Sequence, residues 1–193
     1  MGVVLLVAQG VFLSVFIVRA LFGRRALAND GAARAQATRT APRAGALLML
    51  HAIGIGLVSL GIAQTFVAQR DRFLASLRVL VGLGCVVAAS ALAAWALRVF
   101  RSWRLLARVD AGHGLCIEGP YRLVRHPIYL AMDLWAVGSA LTCPAPAAIT
   151  GMVIVFLGSD LRARAEEQLL LDVFGDDYRS YAARVRRVLP GIY

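Results

Sequence analysis

The chain has 193 residues, of which 60% are hydrophobic and 17% are charged, and its mean hydropathy is +0.71. This composition excludes an ordinary soluble domain and indicates an integral membrane protein, which we expect to form a single domain over residues 1–193. All 21 basic residues are Arg, the net charge is +10, and the Arg lie in short connections beside apolar segments. Anionic lipid headgroups are therefore the expected partners, and nucleic acid is not. Three Cys residues form no CxxC or Cys/His cluster, so no metal site is indicated.

Five apolar segments predict an all-α membrane protein. The first three are long enough to cross a hydrocarbon core of about 30 Å, which takes about 20 residues, and they form an N-terminal half over residues 1–100. The last two are shorter and are separated only by Cys143-Pro-Ala-Pro146, which predicts a tight helical hairpin within a C-terminal half, residues 101–193. The segments run from Val3 to Phe22, Ala44 to Val67, Leu77 to Val99, Ile128 to Cys143 and Ala145 to Gly158.

The first segment has two interpretations. Ala26-Leu-Ala28 resembles a signal-peptide cleavage site, but no basic residue precedes the apolar run and Arg19, Arg24 and Arg25 follow it. That polarity favours a retained transmembrane helix.

The distribution of Arg predicts the orientation. Residues 23–43 hold five Arg, residues 98–125 six, the tail after Asp160 six, residues 67–78 three, and the turn at Cys143 none. With five helices, the positive-inside rule places the N-terminus outside and the three Arg-rich regions in the cytoplasm, consistent with a bacterial inner membrane.

Helix contacts are expected at small residues, namely Gly54, Gly56, Gly61 and the stretch from Ala89 to Ala93. His51 is an unusual ionisable residue in an apolar helix, and a hydrogen bond between helices is the favoured interpretation over a catalytic role. Residues 28–43 are predicted to form a mobile loop.

The tract from Glu118 to Tyr129 has a high density of polar residues beside apolar segments. Glycines at 112, 114 and 119 and the proline at 120 break regular structure, so His113 to Cys116 is expected to be an extended loop able to contact the edge of a flat heterocycle. Pro127 suits the first turn of a helix, which places Arg125 and His126 at an N-terminal rim that favours an anion. The alternative is contact with lipid headgroups, with Tyr121 and Tyr129 in the interfacial belt.

A second polar region follows Asp160. Arg162 and Glu166 are four residues apart on one helical face, with Glu167 beside them. They form either a solvated ion pair or a cation and an anion that hold a substrate and a cofactor. Gly175 is expected to end this helix, and residues 176–187 to form a basic amphipathic helix. Signatures of hydrolases, zinc proteases and nucleotide-binding folds are missing from the sequence.

Together these residues resemble the isoprenylcysteine carboxyl methyltransferase family, compact five-helix prokaryotic type, over about the C-terminal half. The matching pattern is His113-x-Leu-x-x-x-Gly119-x-Tyr121-x-x-x-Arg125-His-Pro-x-Tyr129, then Arg162-x-x-x-Glu166-Glu167, then Phe174-Gly175-x-x-Tyr178-x-x-Tyr181 and Pro190. The sequence departs from the family pattern at Ala131, where Gly is common, and at Arg104, which follows Trp103 where a small polar residue is common.

The resemblance implies an S-adenosylmethionine-dependent membrane methyltransferase that O-methylates the carboxylate of a lipid-tailed, isoprenylcysteine-like acceptor. Arg162 matches the position that faces the substrate, and Glu167 beside it is the second candidate catalytic residue. The implied cofactor contacts are His113, Gly114, Leu115, Cys116, Tyr121, His126, Pro127, Ile128, Tyr129 and Glu166.

Three other interpretations remain open at this stage. One keeps the cofactor but methylates a lipid amine, phenol or thiol, as in phospholipid methyltransferases, with Glu167, His126 or Tyr129 as proton acceptor. Another is a nicotinamide-dependent membrane reductase that shares part of this C-terminal architecture. The last is a non-catalytic membrane protein that binds anionic lipid.

Overall fold

The computed structural model describes residues 2–28, 39–41, 43–68, 77–100, 108–109 and 114–193. These residues form a helical bundle. Its helices are α1 (Gly2–Ala28), α2 (Ala44–Val67), α3 (Leu77–Val99), α4 (Pro127–Thr142) and α5 (Pro146–Arg184), with a short 3-10 helix at Gly119–Arg122. The two-residue strands β1 (Arg39–Thr40) and β2 (Arg108–Val109) pair antiparallel. His113 and most of the predicted loop 28–43 lie outside the described residues.

The all-α membrane architecture predicted from the apolar segments is confirmed. Helices α2, α3 and α5 are long and apolar enough to cross a membrane, and α1 contains a shorter apolar run, Leu6–Arg19. Apolar side chains such as Met49, Ile53 and Leu60 remain exposed on the bundle surface, as expected of a surface that faces lipid.

Helices α2 and α5 pack closely because glycines line their contact. A Cβ atom at Gly61 would lie 2.5 Å from the backbone nitrogen of Ala148, and one at Gly54 would lie 2.9 Å from that of Val155. The prediction of close contact at these two glycines is therefore confirmed. It is wrong for Gly56, where a Cβ atom would meet no atom of the described residues within 4 Å, because this glycine is on a face of α2 that points away from α5.

Helices α3 and α4 make a second close contact through Gly82 and Gly138. Ala89 and Ala93 of α3 are fully buried in the core, as predicted. Helices α4 and α5 form the predicted hairpin, in which α4 ends at Thr142 and α5 begins at Pro146.

Helix α1 is joined to α4 by a buried polar group. Nε1 of Trp135 donates a hydrogen bond to Oε1 of Gln9, whose Nε2 donates to the hydroxyl of Ser139 at 3.0 Å. The ring of Phe12 stacks on Trp135 with centroids 5.2 Å apart.

Helix α5 continues beyond its uncharged part, residues 146–159, into a charged extension. Gly175 interrupts this extension with φ 53° and ψ −119°, a left-handed φ that glycine adopts without strain. The interruption confirms a break at Gly175, and the helix resumes as far as Arg184. The chain then turns back toward α4, where Val124 and Arg186 form a β-bridge and the backbone N–H groups of Arg125 and His126 donate to the carbonyls of Arg186 and Arg187 at 2.7 and 3.0 Å.

Candidate active site

The polar residues of both candidate regions meet where α4 begins and the charged extension of α5 starts. Pro127 occupies the first turn of α4 and His126 is its N-cap residue, as the sequence predicted. Since α4 and α5 are antiparallel neighbours, this start of α4 lies beside residues 159–167 of α5. The two sequence-distant regions therefore form a single site.

Tyr129 lies at the centre of this site. Its hydroxyl donates a hydrogen bond to the carboxylate of Glu166. One side of its ring stacks on His126, with centroids 5.5 Å apart and planes 21° apart, and the guanidinium carbon of Arg162 lies 5.2 Å from the ring centroid. An aromatic face within about 6 Å of a cation attracts it through the ring quadrupole.

His126 is placed between two carboxylates. Its Nε2 lies 3.3 Å from Glu167 and its Nδ1 lies 3.6 Å from Glu166. Burial lowers the pKa of His126, but hydrogen bonds and charge interactions with the two carboxylates outweigh burial and raise the pKa above its ordinary value. This arrangement favours an imidazolium, since both ring nitrogens then carry protons.

Glu167 is the centre of an ionic cluster that holds the C-terminal tail against α4. Arg125 donates from Nε and Nη2 to Oε1 at 2.9 and 2.7 Å, and Arg187 donates from Nε to Oε1 at 2.9 Å and from Nη2 to Oε2 at 2.7 Å. Nη1 of Arg125 also donates to the carbonyls of Ala182 and Val185 at 3.0 and 2.5 Å. These contacts raise the pKa of Arg187. Two guanidinium groups on one carboxylate form a rigid link between α4, α5 and the tail.

Arg162 and His51 lie on the side of the site that faces the apolar bundle. Arg162 is buried, with 6% exposure, although it is charged. His51 on α2 is 1% exposed, packs against Gly158 of α5, and has its ring centroid 6.0 Å from that of Tyr129. Within the described part of the chain neither ring nitrogen of His51 has a hydrogen-bond partner. The expected hydrogen bond between helices at His51 is therefore wrong.

A loop precedes the 3-10 helix that contains Tyr121. Residues 114–117 have no regular secondary structure, as expected of an extended loop. A Cβ atom at Gly114 would meet no described atom within 4 Å, so a ligand can approach its backbone. Tyr121 is buried, its ring meets Phe100 edge-on at 5.7 Å, and its carbonyl accepts a hydrogen bond from Tyr181 at 2.6 Å.

The structure thus brings most of the predicted site residues together. Tyr129, Glu166, Glu167, His126 and Arg162 contact one another, whereas the roles of Gly114, Leu115, Cys116 and Tyr121 stay predictions. Pro127 and Ile128 are buried in the first turn of α4. His113 is outside the described residues, so its assignment stays a prediction.

Two contacts of this region were not predicted from the sequence. Arg187 was assigned only to a basic surface helix, although it contacts Glu167. Asp133 of α4 accepts a hydrogen bond from Ser159 of α5 at 2.7 Å in a buried position. A lone acidic residue in an apolar helix is itself a signal of a polar partner, and it could have identified Asp133.

The fold and the site define a helical membrane protein that has an ionic cluster at the polar end of its α4–α5 hairpin. A sequence profile of the phospholipid methyltransferase family matches residues 77–177, which is just over half of the chain and includes α3, α4 and most of α5. The chain belongs to the phospholipid methyltransferase family.

Curated relatives match just under half of the chain or less. Protein-S-isoprenylcysteine O-methyltransferase A of Arabidopsis thaliana is 34% identical over 93 residues, which are 47% of this chain and 47% of that protein. Protein-S-isoprenylcysteine O-methyltransferase of Saccharomyces cerevisiae is 33% identical over 43% of this chain and 35% of its own length. Methanethiol S-methyltransferase of Pseudomonas deceptionensis is 32% identical over 37% of this chain and 27% of its own length.

These matches confirm the resemblance to isoprenylcysteine carboxyl methyltransferases. The aligned part spans about half the length of the Arabidopsis protein and less of the other two.

Proposed function

We propose that this protein is an S-adenosylmethionine-dependent membrane methyltransferase that methylates the carboxylate of a lipid-tailed, isoprenylcysteine-like acceptor. The observation that carries the proposal is the position of Arg162. A buried cation lies over Tyr129, next to Glu166 and at the boundary between the apolar bundle and the ionic cluster. An amphiphile with an anionic head and an apolar tail fits that boundary.

The residues of the loop side fit the cofactor. Gly114, Leu115 and Cys116 offer backbone donors and acceptors without regular structure, and Tyr121 offers an aromatic wall. The carboxylate of Glu166 suits an ammonium or a ribose hydroxyl, and the rings of His126 and Tyr129 offer faces for a sulfonium. When bound there, S-adenosylmethionine supplies a methyl group on a positively charged sulfur.

The charge of the site supports an anionic acceptor. Among the described residues, three carboxylates, Asp160, Glu166 and Glu167, lie beside four cationic side chains, namely Arg125, His126, Arg162 and Arg187. A buried excess of positive charge is unfavourable unless an anion offsets it. The acceptor carboxylate supplies that anion.

In the proposed mechanism, Arg162 holds one oxygen of the acceptor carboxylate and directs the other toward the methyl group. S-adenosylmethionine, held by the residues of the loop side, would supply the methyl group, and its sulfur would keep the electron pair of the broken S–CH₃ bond. No proton has to be removed, because the carboxylate already carries its charge. Orientation and exclusion of water supply the acceleration, and well-oriented reactants are worth up to about 7–11 kcal/mol.

In this mechanism Glu167 is a positioning residue. Its oxygens accept hydrogen bonds from Arg125 and Arg187, so it is a poor proton acceptor. It keeps His126 and the tail in place beneath the cofactor site.

We further propose that the N-terminus lies outside a bacterial inner membrane and that the site faces the cytoplasm, where the hydrophilic cofactor is available. The large number of Arg at this end of the bundle supports that orientation.

A thiol acceptor is the second candidate, because two relatives are named methanethiol S-methyltransferases. One experiment tests both functions. Purified protein in nanodiscs is incubated with methyl-labelled S-adenosylmethionine and either an S-prenylcysteine or a lipophilic thiol, and the product is treated with base. A base-labile label on the prenylcysteine supports ester formation, a base-stable label on the thiol favours the second candidate, and no transfer to either acceptor contradicts both.

A further inference from the structure

His51 is a buried polar residue that the proposed mechanism leaves without a role. A neutral imidazole has one N–H donor and one nitrogen acceptor. Both ring nitrogens are buried and lack a partner among the described residues. Leaving a buried polar group unpaired costs about 1–3 kcal/mol, so a helix that carries one at its packing interface is expected to gain a partner in another state.

The position of His51 indicates what that partner is. Its ring faces Tyr129 across 6.0 Å and packs against Gly158, where an added Cβ would lie 3.3 Å from Cγ of His51. Gly158 precedes Arg162 by four residues, which is about one turn or 5.4 Å along α5. His51 therefore lies one helical turn deeper in the apolar bundle than the cation proposed to hold the acceptor carboxylate.

The absence of a side chain at Gly158 leaves room for the imidazole ring of His51. Any side chain at position 158 would contact the His51 ring. Because glycine has none, the ring can pack against the backbone of α5 and next to Tyr129. The ring is consequently inside the bundle, and lipid cannot supply its hydrogen bonds.

We propose that His51 is an acceptor-specificity residue, which hydrogen bonds a second polar group of the methyl acceptor, one turn closer to the lipid tail than the methylated carboxylate. This inference rests on the proposed function. It defines the acceptor as an amphiphile with two polar groups, an anion at Arg162 and a hydrogen-bonding group such as an amide at His51. A simple fatty acid has only the first.

The test uses two acceptors that differ in that second group. N-acetyl-S-farnesylcysteine carries an amide next to its carboxylate, and S-farnesyl-3-mercaptopropionate has the same tail and carboxylate without the amide. Steady-state KM for each is measured with the wild type, His51→Leu and His51→Gln, together with the affinity for S-adenosylhomocysteine and the melting temperature in the same detergent.

For the wild type we expect a KM that is about three- to tenfold lower for the amide-bearing acceptor, the value of one hydrogen bond. His51→Leu should remove that preference, leave S-adenosylhomocysteine affinity unchanged, and leave the melting temperature unchanged or higher, because it removes two unpaired nitrogens. His51→Gln, which keeps a donor and an acceptor, should recover part of the preference. Thr65→Val on the same helix is the matched control, since that hydroxyl bonds its own helix at 2.8 Å, and it should keep the wild-type preference.

Each other outcome overturns the inference in a distinguishable way. An undiminished preference in His51→Leu would show that His51 does not contact the acceptor. A lower melting temperature together with an equal rise of KM for both acceptors would assign His51 a structural role. A wild type that methylates neither acceptor would overturn the proposed function and the inference with it.

Discussion

The hydroxyl of Tyr129 on α4 is hydrogen bonded to the carboxylate of Glu166 on α5. This pair connects the aromatic face that borders Arg162 to the carboxylate proposed to contact the cofactor. Because the same ring also stacks on His126, a change at Tyr129 alters the surroundings of His126, Arg162 and Glu166 together.

Tyr129→Phe should keep the ring and lose the hydrogen bond to Glu166. We expect S-adenosylhomocysteine to bind about three- to tenfold more weakly, the value of one hydrogen bond, as measured by isothermal titration calorimetry. Glu166→Gln should weaken binding at least as much, and the double variant should lose less than the two single losses combined, because the residues act as a pair. Fully additive losses would contradict this coupling.

Arg162→Gln should raise KM for the acceptor by at least tenfold and leave S-adenosylhomocysteine affinity nearly unchanged, because the guanidinium is proposed to hold only the acceptor. The matched control is Arg164→Gln, two residues along the same helix, where an exposed guanidinium bonds Asp160 at 2.8 Å. That variant should behave like the wild type. Equal losses of acceptor and cofactor binding in Arg162→Gln would refute the assignment.

Glu167→Gln should destabilise the protein more than it slows methyl transfer. Fully buried ion pairs cost about 3–5 kcal/mol to break and exposed ones about 1 kcal/mol or less. The partners of Glu167 are partly exposed, so we expect a value of about 2 kcal/mol by these principles. Asp176→Asn, which removes an exposed pair with Arg179, is the control and should leave thermal unfolding unchanged. A stable but inactive Glu167→Gln variant would instead favour a catalytic role.

Local patterns predicted the helices well, since apolar segment length and the prolines at 127 and 146 fix where α4 and α5 begin. They also predicted that Arg125 and His126 lie at the rim of a helix. What they missed depends on long-range geometry. The contact between Glu167 and Arg187 arises because the tail folds back onto α4, which no local spacing reveals.

His51 and Gly56 show the same limit in a different way. Both were interpreted from residue type alone, as a polar helix contact and a packing glycine. Their outcomes depended on which face of α2 meets α5, and a helix that is apolar on all sides carries no periodicity to indicate that face.

Gly61→Ala should weaken the contact between α2 and α5. The added methyl would lie 2.5 Å from the backbone nitrogen of Ala148, and a backbone atom cannot move away without separating the helices, so we expect a cost of about 1–3 kcal/mol. Gly56→Ala is the control on the same helix, because a methyl group there would meet no described atom within 4 Å. Thermal unfolding in detergent should show a lower melting temperature for the first variant and an unchanged or slightly higher one for the second. A drop of the same size in both would mean that the close contact at Gly61 is not what holds the helices together.

The pH dependence of stability should reveal the charge on His126. Its carboxylate neighbours raise the pKa against the opposing effect of burial, so the folded state holds the proton more tightly than the unfolded chain, in which His titrates near 6.5. The stabilisation is therefore complete below about pH 6.5 and is lost as the pH rises through the folded-state pKa. Melting temperatures measured from pH 7 to 9 should fall with pH in the wild type. The slope should be smaller in His126→Asn, since Asn is a favourable N-cap residue for α4 but carries no titrating group in this range. A wild-type slope that persists in His126→Asn would show that another group binds the proton.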